Sequence, residues 1–164
     1  MATNNSINLS QSGLTAYDGA GTFFGRTLQA GTNVSISNPD GIAGNPSISV
    51  TGIMTWVEVT GTSQAIVVNT GYVANNASLV TLTLPSSAAI GDSIVVMGKG
   101  AGGWKIAQNA SQQIIFGKVS TTTGTGGFLS STDKSDCITI RCITAGTGTI
   151  WEVDRGPQGN INYA

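Results

Sequence analysis

Histidine is absent from this chain of 164 residues, and only 9% of the residues are charged. Acid–base catalysis near neutral pH, the Ser-His-Asp and Cys-His nucleophile systems and His-bearing zinc sites all depend on an imidazole ring. We therefore expect a protein that is not an enzyme and that holds no metal or other cofactor.

Basic residues and long apolar runs are also scarce. Seven Lys and Arg against eight Asp and Glu give a net charge of −1, so we expect no nucleic-acid partner and no membrane-surface binding. No apolar run approaches the roughly 20 residues that cross a bilayer. Residues 1–11 lack the basic and apolar regions of a secretory signal peptide. We expect synthesis in a cytoplasm and no membrane insertion.

Small, turn-forming and β-branched residues dominate what is present. Gly, Thr, Ser and Asn fill 73 of the 164 positions, and Ile and Val are the commonest large apolar residues. β-Branched residues favour strands, whereas Gly, Asn and Ser favour the turns between them. The composition predicts an all-β protein of many short strands.

Residues 1–54 are rich in Asn, Ser and Gly and are predicted to be an attachment or stem segment. They contain two short alternating pieces, Asn33–Ser37 and Ser47–Thr51, separated by turn-forming residues. Each piece offers only two large apolar side chains, and an isolated hairpin is marginally stable in water. Unless this hairpin packs on the rest of the chain, we expect it to bury its apolar side chains against other copies of the protein.

Residues 55–155 are predicted to form a β-sandwich or jelly-roll-like head of about eight strands, and residues 156–164 a short tail with at most one further strand. The stretch 120–132 is of low complexity and is predicted to be a long mobile loop or hairpin tip. The predicted strands of the head are Thr55–Val59, Gln64–Asn69, Leu79–Leu84, Asp92–Met97, Gly103–Ala107, Gln112–Phe116, Asp136–Thr144 and Thr149–Val153.

The two cysteines, Cys137 and Cys142, lie in one predicted strand. A separation of five residues places them on opposite faces, about 17 Å apart at ~3.3 Å per residue. A disulfide needs Cα atoms within about 7 Å. We therefore expect two free thiols, with Cys142 in the core, as suits a reducing compartment.

Two patterns resemble chemical motifs but favour structural roles. Gly98–Gly103 fits the dinucleotide pattern G-x-G-x-x-G, yet Trp104–Ala107 alternates like a strand where that motif requires a helix. We expect a glycine hairpin or β-bulge there. Glu152 and Asp154 share a strand face roughly 6–7 Å apart, but Arg155 follows at once. A solvated or salt-bridged strand end is favoured over a hydrolytic pair or a cation site.

Exposed aromatic rings beside amides are the usual means of binding sugars, because a ring stacks on C–H surface while amides bond hydroxyls. Trp56 and Trp151 are predicted to be structural, and a place in the core or at a subunit interface is the alternative for Trp104. The predicted ligand-binding residues are Trp104, Lys105, Gln108, Asn109 and Gln112, and, as a second group, Tyr72, Asn75 and Asn76.

Several segments resemble parts of known fibre proteins. Thr27–Val50 resembles the short linker repeats of bacteriophage tail fibres and related virion fibres, and Ala16–Thr27 is similar to another connector in such proteins. Gly91–Asn109, Ser120–Gly127 and Asp136–Cys137 resemble a C-terminal module of phage and bacterial fibre-like proteins. No catalytic residues accompany this resemblance.

The resemblance implies a homotrimer in which three N-terminal segments interwind into a short stem below three β heads. It also implies a virion protein, a short tail fibre that binds other virion proteins through residues 1–54 and presents its head to host-surface polysaccharide. The alternatives are a capsid decoration or head-fibre protein anchored by the same segment, a bacterial lectin-like module and a small polysaccharide-cleaving enzyme.

Overall fold

The computed structural model of the protein describes residues 15–17, 23–32, 34–50 and 54–164. Over these ranges every regular element is a β-strand, so the all-β prediction is confirmed. The chain separates into two compact units, Met1–Ile53 and Met54–Ala164, which we call the N-terminal unit and the head.

Among the described residues of the N-terminal unit, β1 (Thr15–Tyr17) pairs antiparallel with β2 (Phe23–Gly25), and β3 (Val34–Ser37) pairs antiparallel with β4 (Ser47–Val50). The turn that joins β3 to β4 includes Asn38 at φ 50°, a left-handed conformation that Asn adopts more readily than most residues. The predicted pairing of the two alternating pieces is confirmed, while Asn33 and Thr51 lie outside the described residues.

The head contains twelve strands in two sheets. The strands are β5 (Thr55–Val59), β6 (Ser63–Ala65), β7 (Thr70–Ala74), β8 (Val80–Thr83), β9 (Ser93–Gly98), β10 (Trp104–Ala107), β11 (Gln113–Phe116), β12 (Val119–Ser120), β13 (Phe128–Ser131), β14 (Cys137–Thr144), β15 (Ile150–Gln158) and β16 (Ile161–Tyr163). The seven-stranded sheet has the order β12-β11-β15-β14-β9-β7-β5, and the five-stranded sheet has the order β16-β13-β10-β8-β6.

The first six strands of the head wind as a flattened coil. Strands β5, β7 and β9 are parallel neighbours in the seven-stranded sheet, and β6, β8 and β10 are parallel neighbours in the five-stranded sheet. The chain therefore crosses from one sheet to the other after each strand and completes three turns. This parallel pairing differs from the antiparallel strands of a jelly roll.

The predicted strand Gln64–Asn69 is only partly correct. Strand β6 ends at Ala65, and the chain then crosses to the seven-stranded sheet, where β7 begins at Thr70. Asn69 has φ 59°, so it forms the turn before a strand that the sequence analysis did not predict. The continuous apolar run 66–68 conceals this change of sheet.

The C-terminal third of the chain adds the remaining strands to both sheets. Strand β14 pairs antiparallel with β9 and β15, and β16 forms an edge of the five-stranded sheet beside β13. Residues 156–164 are therefore part of the head. The prediction of a long loop or hairpin tip over 120–132 is correct only for residues 121–127, because β13 occupies Phe128–Ser131 and Leu129 has no exposed surface.

Both sheets contribute to one hydrophobic core. Alternate residues of each strand point inward, so the seven-stranded sheet supplies Tyr72, Ile140 and Trp151, and the five-stranded sheet supplies Leu82 and Trp104. Full burial of a large apolar side chain stabilises the fold by about 1.5–3 kcal/mol. Packing between the sheets is therefore the main source of stability.

The cysteines agree with their prediction. Cys137 and Cys142 are both free thiols, and Cys142 is buried whereas Cys137 is half-buried. Burial raises the pKa of the Cys142 thiol, which makes it unreactive.

The glycine run Gly98–Gly103 carries the chain from β9 to β10, that is, from one sheet to the other. It is not the predicted hairpin or bulge, because β9 and β10 lie in different sheets. A Cβ atom on Gly100 would overlap the backbone of Asn76, and one on Gly102 would overlap the backbone of Ser78. Glycine is needed here because adjacent turns of the coil touch through their backbones.

We expect Gly102→Ala to lower the free energy of unfolding by at least about 2 kcal/mol, since the added methyl group must displace backbone. Gly156→Ala is the matched control, because a Cβ atom there meets nothing within 4 Å. Urea unfolding of both variants measures the difference. Equal stability of the two would show that the turns of the coil are not in such close contact.

Candidate functional site

The predicted platform Trp104 lies in the core and has no exposed surface. Its Nε1 donates a hydrogen bond of 2.8 Å to the carbonyl oxygen of Asp136. A ring enclosed in this way cannot stack on a ligand, so the prediction of a binding role is wrong and the alternative, a core residue, is correct. The neighbouring Lys105 places its Nζ 4.2 Å from the ring centroid of Phe128.

The amides near Trp104 satisfy buried backbone groups instead of facing solvent. Gln112 has no exposed surface, and its Nε2 donates to the carbonyl oxygen of Pro85 at 2.7 Å and to Thr149 Oγ1 at 2.8 Å. Its Oε1 accepts from the backbone N–H of Asn109 at 2.8 Å. The Nε2 of Gln108 donates to the carbonyl oxygen of Gln112 at 2.5 Å. The hydrogen bonds of these amides connect neighbouring loops of the head.

Two of the three residues of the second predicted group, Tyr72 and Asn76, are also structural. Tyr72 exposes 1% of its surface, and its hydroxyl oxygen accepts a hydrogen bond of 2.6 Å from the backbone N–H of Val67. Asn76 Nδ2 donates to the carbonyl oxygen of Thr60 at 2.5 Å. Asn75 Nδ2 donates to Glu58 Oε1 at 2.9 Å, which leaves it at the surface. Sequence reasoning could not separate amides that close turns from amides that bind ligands.

Asp154 forms a salt bridge, as predicted, but it lies in the middle of β15 and not at a strand end. Its Oδ2 lies 2.7 Å from Arg141 Nη2 and 3.2 Å from Arg141 Nε. The hydrogen bond from Arg141 holds the pKa of the Asp154 carboxyl below its usual range, which opposes a role as a general acid. Within the described ranges, no group of three His, Cys, Asp or Glu is placed to hold a metal ion.

The outer face of the seven-stranded sheet is the surface with the features of a site. Outward residues of β5, β7, β9, β14 and β15 form two adjacent rows across the sheet, defined by the strand register. We call the two rows together the outer strip. The first row is Trp56, Gly71, Val95, Thr139 and Arg155, and the second is Glu58, Val73, Met97, Cys137 and Gln158.

One end of the outer strip contains a shallow groove of about 220 Å³. Val95 and Met97 from β9 and Thr139 from β14 form its floor, and Arg155 and Gln158 of β15 stand beside it. Small and apolar side chains dominate the groove, and Arg155 adds the positive charge.

The other end of the outer strip carries the one tryptophan with an exposed ring. Trp56 exposes 53% of its surface, whereas Trp104 and Trp151 expose none. Its indole lies over Gly71, so close that a Cβ atom on Gly71 would be 2.6 Å from the ring. Of the two tryptophans predicted to be structural, Trp151 lies in the core and Trp56 lies outside it. The signal that sequence reasoning lacked is the register that places Trp56 opposite a glycine.

Polar side chains flank Trp56 along the strands. Glu58, two residues further along β5, accepts hydrogen bonds at Oε1 from Lys99 Nζ at 2.6 Å and from Asn75 Nδ2 at 2.9 Å. The hydrogen bond from Lys99, followed by the one from Asn75, lowers the pKa of the Glu58 carboxyl. Glu58 is therefore an anion at neutral pH, and no contact in the described part of the chain uses its Oε2.

Comparison with models of known protein families and with curated proteins found no match to this chain. Among the residues that the structure describes, there is no helix with the length and apolar character to cross a membrane.

We expect Gln112→Met to lower the free energy of unfolding by at least about 2 kcal/mol, because it leaves the buried partners of the amide unsatisfied. The exposed Gln158→Met is the control and should change stability by less than about 0.5 kcal/mol. Thermal unfolding of both variants distinguishes a structural amide from a ligand-binding one. Unchanged stability of Gln112→Met would contradict the structural role.

Proposed function

We propose that this protein is a non-enzymatic structural subunit that associates with copies of itself, as a short trimeric fibre of a virion. The observation that carries the proposal is the β3–β4 hairpin, on whose apolar face Ile48 and Val50 are exposed and Val34 and Ile36 are only half-buried. The resemblance of Thr27–Val50 to the linker repeats of virion fibres supports the same reading. The head is then the part that three associated stems present to a host surface.

The hairpin separates its residues completely between two faces. On one face Val34 pairs with Val50 and Ile36 with Ile48. The opposite face carries only serines, the pairs Ser35–Ser49 and Ser37–Ser47. The apolar face is therefore built entirely from β-branched residues, which favour packing against another apolar surface.

Ile48 and Val50 expose 63% and 60% of their surfaces. Complete burial of such a side chain is worth about 1.5–3 kcal/mol relative to full exposure, so a substantial fraction of that free energy is available to association. Each copy contributes the same face, which multiplies the gain. Repulsion between like charges would oppose this association, but residues 27–50 are nearly uncharged.

Asp40 is the one charged residue after Arg26 and before the end of β4. Its Oδ1 accepts a hydrogen bond of 3.1 Å from the backbone N–H of Ile42, so it stabilises the turn at the tip. The strands themselves carry no charge. Copies of the hairpin can therefore approach each other without like-charge repulsion.

The ionisable residues of the head support a non-enzymatic role. The buried Asp136 accepts hydrogen bonds at Oδ2 from the backbone N–H groups of Thr132 and Asp133, at 2.7 and 2.8 Å. It thereby fixes the turn before β14. The two ion pairs of the described residues, Lys99–Glu58 and Arg141–Asp154, lie at the surface.

We expect the full chain to behave as a trimer of about three times 16.6 kDa and the double variant Ile48→Ser, Val50→Ser to dissociate, since it removes apolar surface without altering the head. The control Ser47→Thr, Ser49→Thr changes the opposite face of the same strand and should remain trimeric. Light scattering coupled to gel filtration measures each mass. A trimer that survives the first double substitution would remove the hairpin from the interface.

A further inference from the structure

We propose that Trp56 and the polar groups beside it form a carbohydrate-binding site on the outer strip of the head. The inference deepens the proposed function, on which it rests for the multiplicity that makes a weak site useful. The ligand is a neutral or amino sugar of a polysaccharide, bound by stacking of its C–H face on the indole.

The ring of Trp56 is both exposed and restricted in conformation, which favours stacking on a ligand. It is more than half exposed, yet the backbone of Gly71 supports it from below. A side chain at position 71 would occupy the space that the ring fills. Contact with the glycine restricts the rotamers of Trp56 before any ligand binds, so little conformational entropy remains to be lost on binding.

The surroundings of the ring match the chemistry of a sugar. Val95 follows Gly71 in the same row and extends the apolar surface by one residue. Glu58 stands two residues along β5, about 7 Å from Trp56 at ~3.3 Å per residue. A pyranose ring stacked on the indole therefore has a carboxylate within reach of its hydroxyl groups.

Lys99 and Asn75 make the carboxylate a fixed acceptor. Both donate to Oε1 of Glu58, and the second oxygen, Oε2, stays available to a hydroxyl donor. Nζ of Lys99 has two further N–H bonds that can reach a sugar oxygen. Donors and acceptors of a sugar hydroxyl are thus both present.

Polar groups also border the ring at the other end of the strands. Asn69 and Asp92 precede β7 and β9, and Asn69 Nδ2 donates to Asp92 Oδ1 at 2.9 Å. The apolar surface around Trp56 therefore has polar groups on both sides along the strand direction. This geometry suits a single sugar ring better than a protein partner, which typically buries about 800 Å² on each side.

The test is fluorescence titration of the full chain with polysaccharide. Trp56 is the exposed tryptophan and the other two are buried, so acrylamide quenching reports mainly on Trp56. An array of bacterial surface polysaccharides with mannose, glucose, galactose and N-acetylglucosamine oligomers selects the probe. We expect the selected oligomer to protect Trp56 from quenching.

Trp56→Ala should weaken array binding at least tenfold, and Trp56→Phe should retain part of it, because the smaller ring still stacks. Ile90→Ala is the control, since Ile90 is 73% exposed in the loop between β8 and β9 and belongs to neither row of the outer strip. Binding by Ile90→Ala should equal that of the unaltered chain. The oligomeric state of each variant is measured in parallel by light scattering.

Two results would overturn the inference while leaving the proposed fibre intact. One is a trimeric chain that binds nothing on the array, or whose Trp56→Ala variant binds as tightly as the unaltered chain. The other is dissociation of Trp56→Ala to smaller species, which would make the indole a contact between copies. A chain that is monomeric but binds sugar through Trp56 would contradict the proposed function and support the site.

Discussion

Burial of the two inner sheet faces against each other is the interaction on which the head depends. Each large core side chain is worth about 1.5–3 kcal/mol, whereas an exposed ion pair contributes about 0–1 kcal/mol. The two ion pairs of the described residues are both at the surface, so charge cannot hold the head together. The coil brings alternate strands of a nearly uncharged sequence into a single core, and it requires glycine where successive turns touch.

The same constraint explains which surfaces are left over. A strand can bury only one face in the core, and the hairpin β3–β4 has four β-branched residues on a face that stays partly exposed. In the head, the outward row from Trp56 through Gly71 and Val95 to Thr139 carries no charged residue. Association of copies through the hairpin and sugar binding on the outer strip are the uses we assign to these two surfaces.

Composition and the alternation of apolar and polar residues were enough to predict the all-β class, the β3–β4 hairpin and the inward position of Cys142. They were not enough to predict the number of strands, because β7, β12 and β13 are absent from the eight strands predicted for the head. Alternation could not predict parallel pairing, because a strand alternates in the same way whatever the direction of its neighbour. It also misplaced the site. Gln112 beside Trp104 and Asn76 beside Tyr72 look like ligand-binding groups in sequence, but their partners are backbone atoms distant in the chain. Trp56 is recognisable only when the register with Gly71 is known.

The central claim is that the chain acts through association of identical copies. Native mass spectrometry of the full, unaltered chain at micromolar concentration tests it most directly, because it counts subunits without assuming a shape. The account predicts one dominant species with three copies of the 16.6 kDa chain. A spectrum containing only the single chain would contradict it.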